Sequence, residues 1–445
     1  MDFQSFKQAV IARCAQKGIE EYELYYQTAE STSVSVFQHS INEFTGSIEG
    51  GVCFRCIVGG RMGYASTEAL NEEQAMSIVD RAADNAATLE ADEPVFLAEG
   101  GLTYAPITVE PYALPDTESL IAKALEAQEK LYASDPAVID GTETQGMSEA
   151  SQVFIYNSKG LDLHSRTTLS GLVVASVVTD GKEMANSYEF KLGKLSDIDT
   201  DALAAKVTKS AKQKLGGEVA PTGQYPVVFA PESMCSLLGV FSAIFSSENS
   251  QKGLSKLGGK EGEVIAAPMV TLVDDPFFPG STRQHNFDAE GIPTFTKNVI
   301  ENGVFKTLLY NMKTAAVAGC KTTGNASKGG YDAPVAVRPF TMYLVPGQKS
   351  EEELLAPIDK GVYITSLGGL HAGANPITGD FSLQSSGFMI EGGQKTTFVK
   401  SFTVAGNFYE LLKQITDMAS NLETPGMGSF GAPTVRVDGL SIAGK

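Results

Sequence analysis

The chain has 445 residues, of which 42% are hydrophobic and 20% are charged, a balance typical of a folded globular protein with two or three domains. No run of about 18 apolar residues is present, and the first residues lack the basic and apolar parts of a signal peptide, so neither a membrane span nor secretion is expected. The net charge is −19, from 53 acidic and 34 basic residues. This charge disfavours direct nucleic-acid binding, which depends on Lys and Arg neutralising phosphates.

The five cysteines are an odd number and mostly lie far apart, which argues against a disulfide framework and indicates a cytoplasmic protein. Cys53 and Cys56 have the CxxC spacing of zinc and redox sites, but no second pair completes a set of four ligands. Their segment has the pattern of a strand, in which residues three apart point to opposite faces. We therefore expect this pair to be structural.

The first half of the chain repeats one order of elements, namely a helix, several strands and a second helix. Gly18 ends the first helix in the position that favours a left-handed cap, and Gly59-Gly60 predicts a hairpin. The repeat predicts a duplicated unit, at 1–90 and 116–217, within an N-terminal domain at 1–220. Helices are expected at Asp2–Lys17, Asn71–Leu89, Asp116–Tyr132 and around Leu203–Leu215, strands between Tyr22 and Ser66 and between Ser151 and Phe190, and a connector at Glu90–Pro115.

From residue 221 onward, many short strand-like segments are separated by Gly or Pro, which predicts a β-rich C-terminal domain at 221–445. One helix is expected at Pro231–Phe245, where Pro231 suits the first helical position and apolar residues recur every three or four positions. A second is expected from Asn407 to Met418. Together the two halves predict an α+β fold. The strands expected in this half include Tyr225–Ala230, Val264–Val273, Lys297–Val304, Thr307–Asn311, Phe340–Val345, Val362–Ser366, Asp380–Gln384, Gly387–Glu391 and Lys395–Thr403.

A glycine-rich segment near the C-terminus holds the first candidate site. Of the four histidines none lies within five residues of another, so no helical His pair can bind a metal. His371 and Asn375 lie in the glycine-rich run Gly368–Pro376, and Asp380 and Ser382 follow it. Glycines allow a backbone to approach a ligand closely, and these four side chains supply polar contacts. The alternative is a tight turn that joins two strands.

Three stretches together carry a resemblance to a known family: the helix at Pro231–Phe245, the string Val273-Asp274-Asp275, and the string from Asp288 to Thr294. The chain resembles the TldD/PmbA family, whose historical label is modulator of DNA gyrase. The family's peptidase members carry a His-Glu-x-x-x-His zinc motif on this helix, with a cysteine near the C-terminus as third ligand. Aligned on this chain, the motif falls on Leu238 to Ala243. Leu238 and Ala243 then stand in the histidine positions, Gly239 in the glutamate position, and Pro425 in the cysteine position.

The resemblance therefore implies the PmbA/TldE-like branch, which lacks the zinc motif. Such a chain is expected to have no catalytic residue, metal or cofactor of its own, and to pair with a zinc-bearing TldD-type paralogue, or else with a second copy of itself, in the proteolysis of peptides and maturation of peptide precursors. Extended peptide would bind along strand edges. Two alternatives stay open: a self-sufficient homodimeric hydrolase with an unrecognised active site, and a non-catalytic peptide-binding scaffold. The residues expected to line the shared site are His371, Asn375, Asp380 and Ser382, with Arg283 and Asp288 as weaker candidates.

Overall fold

The computed structural model describes residues 1–90, 94–425 and 428–445. Residues 91–93 of the expected connector, and residues 426 and 427 next to Pro425, lie outside the described residues. The first half contains helices α1 (Phe3–Lys17), α2 (Glu72–Thr88), α3 (Thr117–Ser134) and α4 (Thr200–Lys212), and strands β1 (Glu21–Phe37), β2 (Ser40–Val58), β3 (Arg61–Thr67), β4 (Glu143–Asn157), β5 (Asp162–Thr179) and β6 (Met184–Leu192), with a 3₁₀ turn at Leu195–Asp197.

These six strands form one antiparallel sheet in the order β3-β2-β1-β4-β5-β6. Each half of the sheet is a three-strand meander with one helix before it and one after it, and the two halves join through β1 and β4. The expected order of helix, strands and helix is thus present twice. We propose that the two units are structural repeats and that the N-terminal domain extends to residue 220.

Alternation along the strands gives the sheet two different faces. Leu24 and Phe54 pack beneath α1 and α2, and an equivalent cluster lies beneath α3 and α4. Their neighbours Tyr25 and Cys53 point the other way and contact the C-terminal half. Cys56 packs with the helices, so the CxxC pair lies on opposite faces of the strand, as predicted.

Local signals placed both ends of α1 correctly, whereas the helix expected around Leu203–Leu215 ends already at Lys212. The Asp2 side chain accepts a hydrogen bond from the Ser5 N–H at 2.8 Å, and Gly18 ends α1 with a φ of 67°. The strands are longer than expected. The segments Tyr22–Gln27 and Ser31–Gln38, expected as separate strands, belong to the single strand β1, because every backbone group in between pairs with β2 and β4.

The second half is built mostly from short strands. Its helices are α5 (Pro231–Phe241), α6 (Ser247–Gln251), α7 (Met312–Ala318), α8 (Glu351–Leu355), α9 (Leu370–Gly373) and α10 (Phe408–Lys413), with a 3₁₀ turn at Ser242–Phe245. Its strands are β7 (Glu218–Val219), β8 (Gly223–Phe229), β9 (Leu272–Asp274), β10 (Lys297–Glu301), β11 (Val304–Phe305), β12 (Ala326–Ser327), β13 (Ala336–Val337), β14 (Met342–Leu344), β15 (Lys360–Gly368), β16 (Asp380–Glu391), β17 (Gln394–Asn407), β18 (Ile415–Met418), β19 (Phe430–Gly431) and β20 (Val435–Ala443).

Five of these strands pair in a closed ring and form a barrel. β20 pairs with β8, β8 with β15, β15 with β16, β16 with β17, and β17 pairs back with β20. Helix α5 packs its apolar side against this barrel through Leu237, Leu238 and Phe241, and Phe241 stacks on Phe408 with ring centroids 4.5 Å apart. A second sheet, in the order β11-β10-β9-β14-β19, lies beside it.

Several expected elements of the C-terminal half differ from the structure. The helix expected at Pro231–Phe245 ends at Phe241, and Ser242–Phe245 is a 3₁₀ turn. The helix expected from Asn407 to Met418 ends at Lys413, and Ile415–Met418 is instead strand β18, paired with β20. The strand expected at Val264–Val273 begins only at Leu272, because the N–H groups of Ile265 and Ala266 both bond to the Gly303 carbonyl in an irregular turn. Residues 307–311 form no strand. In the described residues, no helix is both long enough and apolar enough to span a membrane.

Candidate functional site

Three clefts contain the residues singled out by sequence. The first, here called the α5 cleft, has a volume of about 690 Å³ and lies between α5, strand β6 and residues 423–425 and 428–430. Pro231 begins α5 directly after strand β8, and the Ser233 hydroxyl donates to the Ile364 carbonyl at 3.0 Å, which fixes the start of the helix against the barrel. Gly239 and Pro425 both line this cleft.

Most of the charged side chains that line the α5 cleft are carboxylates. Burial raises the pKa of Glu232, whose carboxylate accepts a hydrogen bond from the Tyr188 hydroxyl at 3.2 Å, and burial also raises the pKa of Glu423. The pKa of the Cys235 thiol is raised to about 12 by burial and by these two carboxyl groups. A thiol in that state is neutral at physiological pH, so Cys235 is not an activated nucleophile.

The aligned zinc positions offer no metal ligands. Leu238 is 1% exposed and packs in the core, Gly239 has no side chain, and Ala243 borders a different cleft. Across the described ranges, no group of three or more His, Cys, Asp or Glu side chains is arranged to hold a metal ion. The α5 cleft contains Glu232, Cys235 and Glu423, but the described residues do not bring them together as a set of ligands, so the cleft as described does not fit zinc.

The second cleft, here called the turn cleft, is an open depression of about 700 Å³ beside β16. Asn375, Asp380 and Ser382 line it, while the exposed His371 lies on α9 next to it. The side-chain Oδ1 of Asn375 accepts from the N–H groups of Ile377 and Thr378, so it fixes the turn. Asn407 donates to Asp380 at 2.7 Å, and this hydrogen bond lowers the pKa of the carboxyl group.

The third cleft, here called the interdomain cleft, lies between the helix-free face of the N-terminal sheet and the C-terminal half. Its volume is about 390 Å³. Arg283 and Asp288 line it, so the six predicted site residues fall into two separate places rather than one site. Its lining also includes Tyr25, Gln27, Ser151, Thr167, His285, Lys328, Arg338 and Phe340.

Asp288 holds the turn that forms one wall of this cleft. Its carboxylate is 3% exposed and accepts hydrogen bonds from the N–H groups of Glu290, Ile292 and Ala326 at 2.9–3.0 Å. Burial and the nearby Glu290 carboxyl raise the pKa of Asp288 to about 7. Gly291 has a φ of 78°, and a Cβ at this position would lie 2.5 Å from Leu161 on the N-terminal half. The string from Asp288 to Thr294 is therefore a turn shaped to fit the sheet.

The second string, Val273-Asp274-Asp275, supports the same wall of the cleft through the hydrogen bonds of Asp274. Asp274 is fully buried and accepts from Lys297 at 3.2 Å, from Asn325 at 2.7 Å and from the Phe340 N–H at 2.7 Å. Burial raises the pKa of Asp274 and lowers the pKa of Lys297. Both strings are thus buried polar networks that shape the interdomain cleft.

Sequence reasoning did not single out Lys328 and Arg338 in the interdomain cleft, or Glu232 and Glu423 in the α5 cleft. Each pair brings together side chains from separate elements, and no periodic pattern marks them. Burial raises the pKa of Glu232 and Glu423 and lowers the pKa of Lys328. These shifts arise only in the folded chain, so the sequence gives no sign of them.

Family models match nearly the whole chain. The PmbA/TldA metallopeptidase domain 1 matches residues 22–86, the central domain matches residues 110–215, and the C-terminal domain matches residues 222–444. Among curated relatives, a Methanothermobacter thermautotrophicus protein named metalloprotease is 30% identical over 70% of this chain and 71% of its own length. A Haemophilus influenzae protein named metalloprotease PmbA homolog is 25% identical over 99% of this chain and 97% of its own length.

Two solved structures share the whole fold. One is a candidate modulator of a DNA gyrase from Thermotoga maritima MSB8, with a TM-score of 0.90 and 29% identity over 99% of this chain and 100% of that one. The other is TldE from Thermococcus kodakarensis, with a TM-score of 0.87 and 25% identity over 98% of this chain and 99% of that one. Because the C-terminal family model alone spans half of the chain, this protein belongs to the PmbA/TldD metallopeptidase family.

Proposed function

We propose that this chain is a PmbA/TldE-like subunit of a TldD/TldE-type metallopeptidase, which hydrolyses peptides or matures peptide precursors, and that the chain itself carries no zinc. One observation carries this proposal. The segment on which the family's peptidases hold their metal is present as α5 and the 3₁₀ turn that follows it, but Leu238 and Gly239 of α5 and Ala243 of the turn stand at the aligned ligand positions and provide no nitrogen, sulfur or carboxylate ligand.

The partner we propose is a TldD-type zinc paralogue, with a homodimer as the alternative. The likeness to TldE extends over 98% of the chain. A Haemophilus influenzae protein named metalloprotease TldD homolog is 27% identical over 56% of this chain, so relatives of both names match the same sequence. Zinc, if it is supplied by such a partner, would activate water there. The five free cysteines agree with the cytoplasmic location that we propose.

We propose that extended peptide binds along strand β6. Within the described residues β6 pairs only with β5, so its other edge leaves backbone N–H and C=O groups for a peptide strand. Tyr188 is 57% exposed and Phe190 is 37% exposed on this strand beside the α5 cleft, where they can contact alternate side chains of a peptide. His371, Asn375, Asp380 and Ser382 remain proposed contacts for peptide or partner at the turn cleft.

Metal analysis and a peptidase assay on the full chain test this proposal together. The purified chain should contain no stoichiometric zinc and should not hydrolyse unfolded peptides. Adding the TldD-type paralogue from the same genome should produce hydrolysis that a chelator abolishes. Stoichiometric zinc in the isolated chain, or hydrolysis without a partner, would overturn the proposal in favour of a self-sufficient hydrolase. Partner binding without any gain in hydrolysis would favour a scaffold.

A further inference from the structure

We propose that the interdomain cleft binds a carboxylate group of a peptide, either the C-terminal carboxylate or an Asp or Glu side chain, through Lys328 and Arg338. The inference rests on the proposed function only in taking peptides as the ligand class. The cleft is about 390 Å³, a size typical of small-ligand pockets.

The charge of the cleft is opposite to that of the chain. The whole chain has 53 acidic and 34 basic residues, whereas the charged lining of the cleft consists of three cations, Arg283, Lys328 and Arg338, and one acid, Asp288. The Asp288 oxygens already accept three backbone N–H groups. Arg283 is paired with Glu149 at 2.7 Å. Lys328 and Arg338 therefore give the cleft its positive charge.

Lys328 is a partly buried cation without a carboxylate partner. Its ammonium group lies 4.7 Å from the centroid of the Tyr25 ring, and in the described part of the chain no acid lies within 4.0 Å of it. Burial lowers the pKa of Lys328, which means that the charged form lacks the solvation it has in water. A carboxylate beside it would offset that desolvation.

Arg338 lies at the mouth of the same cleft. The side chain is exposed and has neither an ion pair nor a hydrogen bond within the described ranges, while its backbone N–H donates to the Asn325 carbonyl at 3.1 Å. Strands β12 and β13 pair as Ala326 with Val337 and Ser327 with Ala336. The backbones of Lys328 and Arg338 thus lie beyond opposite ends of this short ladder, roughly 10 Å apart along the strand direction, and both residues line the cleft. An extended peptide of about three residues covers that distance.

Two buried polar atoms in the lining have no hydrogen-bond partner among the described residues. They are the side-chain oxygen of Gln27, which requires a donor, and the Nε of Arg283, which requires an acceptor. A peptide end provides an N–H group, a carbonyl oxygen and a carboxylate within one short segment. Hydrogen phosphate also carries an O–H donor, but a single phosphate is too short to cover the roughly 10 Å between the Lys328 and Arg338 backbones. The unpartnered acceptor, the unpartnered donor and two separated cations without carboxylate partners therefore favour an extended peptide.

Fluorescence anisotropy of the full-length chain with labelled peptides tests this inference. The probes are N-terminally fluorescein-labelled penta-alanine with a free carboxylate, its C-terminal amide, and an amide that contains one glutamate. The free acid should bind roughly tenfold more tightly than the plain amide, and the glutamate peptide shows whether a side-chain carboxylate is also accepted. Lys328→Met and Arg338→Gln should each weaken binding of the free acid by roughly tenfold.

Arg166→Gln is the matched control. Arg166 is exposed on β5 between the lining residues Ser165 and Thr167, so its side chain points to the opposite face of the sheet, and the substitution removes the same charge. It should leave binding unchanged. Because Arg338 is exposed, its variant tests the cleft even if Lys328→Met reduces folding.

Equal binding of acid and amide, or an equal loss with Arg166→Gln, would overturn the inference, because binding would then not depend on a carboxylate in this cleft. Tighter binding of the acid than of the amide, together with displacement of the acid by inorganic phosphate as readily as by unlabelled free-acid peptide, would show a general anion site and would overturn the peptide as its ligand. None of these outcomes depends on hydrolysis. The subunit role is judged by the metal and peptidase assays alone.

Discussion

Buried ionisable side chains concentrate where the N-terminal sheet meets the C-terminal half. Arg55 and Glu23 form an ion pair of 2.8 Å in which both side chains are at most 7% exposed, and Glu290 and Asp288 lie close by on the opposing turn. Burying charge is costly unless it is paired and hydrogen-bonded. The string from Asp288 to Thr294 therefore contributes to how the two halves fit together.

Asp288 gives a pH-dependent contribution to stability whose sign can be worked out. Its pKa is about 7 in the folded chain, because of burial and Glu290, against an ordinary value of 3.8. A raised carboxyl pKa favours the protonated form in the folded state, so the contribution is full below pH 4 and is lost as the pH rises towards 7. Relative to Asp288→Asn, the wild type should lose stability between about pH 4 and pH 7.

Urea unfolding of both proteins across this pH range measures the difference. In Asp288→Asn, an NH₂ group can replace the oxygen that accepts from the Ala326 N–H. The lost hydrogen bond changes the stability of the variant by an amount that does not depend on pH. The prediction therefore concerns the trend and not the absolute difference. Asp84→Asn, which removes an exposed carboxylate on α2, is the control. A stability of the wild type relative to Asp288→Asn that stays constant, or that increases as the pH rises, would contradict the raised pKa.

At the scale of elements, helix α5 packs against the core of the barrel. Phe241 is fully buried and stacks on Phe408 of α10, which connects the helix to the strands that close the barrel. Phe241→Ala should lower the free energy of unfolding by about 3–5 kcal/mol, through lost transfer energy and the cavity left behind. Phe44→Ala, at a position that is 49% exposed, should change it by no more than about 0.5 kcal/mol. Denaturant titrations at neutral pH compare the two.

A cost near that of the Phe44 control would mean that α5 is not part of the cooperative core. A selective loss of partner binding with unchanged stability would instead place Phe241 at an interface. Both outcomes would contradict the close packing of α5 against the barrel.

Elements with local signals could be predicted from sequence, and elements defined by distant pairing could not. Asp2 and Gly18 mark α1 through backbone capping, and Gly59-Gly60 marks the hairpin between β2 and β3. Ile415 and Met418 have helical spacing after α10, yet their backbone pairs with β20, which is far away in sequence. Periodicity alone cannot distinguish these two outcomes.

The same limit applies to the candidate site. His371 and Asn375 were found because glycines surround them, but Asn375 serves the turn itself. Lys328 was not found, because its role depends on Tyr25, a residue about three hundred positions earlier in the chain. Its neighbours in the sequence give no signal of that contact.

At the scale of the whole molecule, the two halves form one body around the interdomain cleft. The N-terminal sheet uses one face for its four helices and the other for the C-terminal half, so the cleft walls come from both. The edge strands of the sheet and the residues that line the cleft therefore belong to the same packed structure. A ligand in the cleft would contact both halves and would stabilise their association by mass action.

The distribution of charge gives a prediction for DNA, which matters because one structural relative is described as a candidate modulator of a DNA gyrase. A net charge of −19 repels phosphates, and the cationic cleft, at about 390 Å³, is too small for a duplex. The chain should show no binding to a short random-sequence duplex tighter than roughly 10⁻⁴ M at physiological salt. Anisotropy of a labelled duplex, measured at low and physiological salt, is the test.

The double variant Lys328→Met, Arg338→Gln serves as the control, and it should behave as the wild type does towards DNA. Binding that weakens steeply with salt in both proteins would show that another cationic surface contacts phosphates, since electrostatic binding releases counterions. Binding that disappears in the double variant would assign nucleic acid to the interdomain cleft and would exclude the peptide carboxylate as its main ligand. With neither result, this chain does not contact DNA directly.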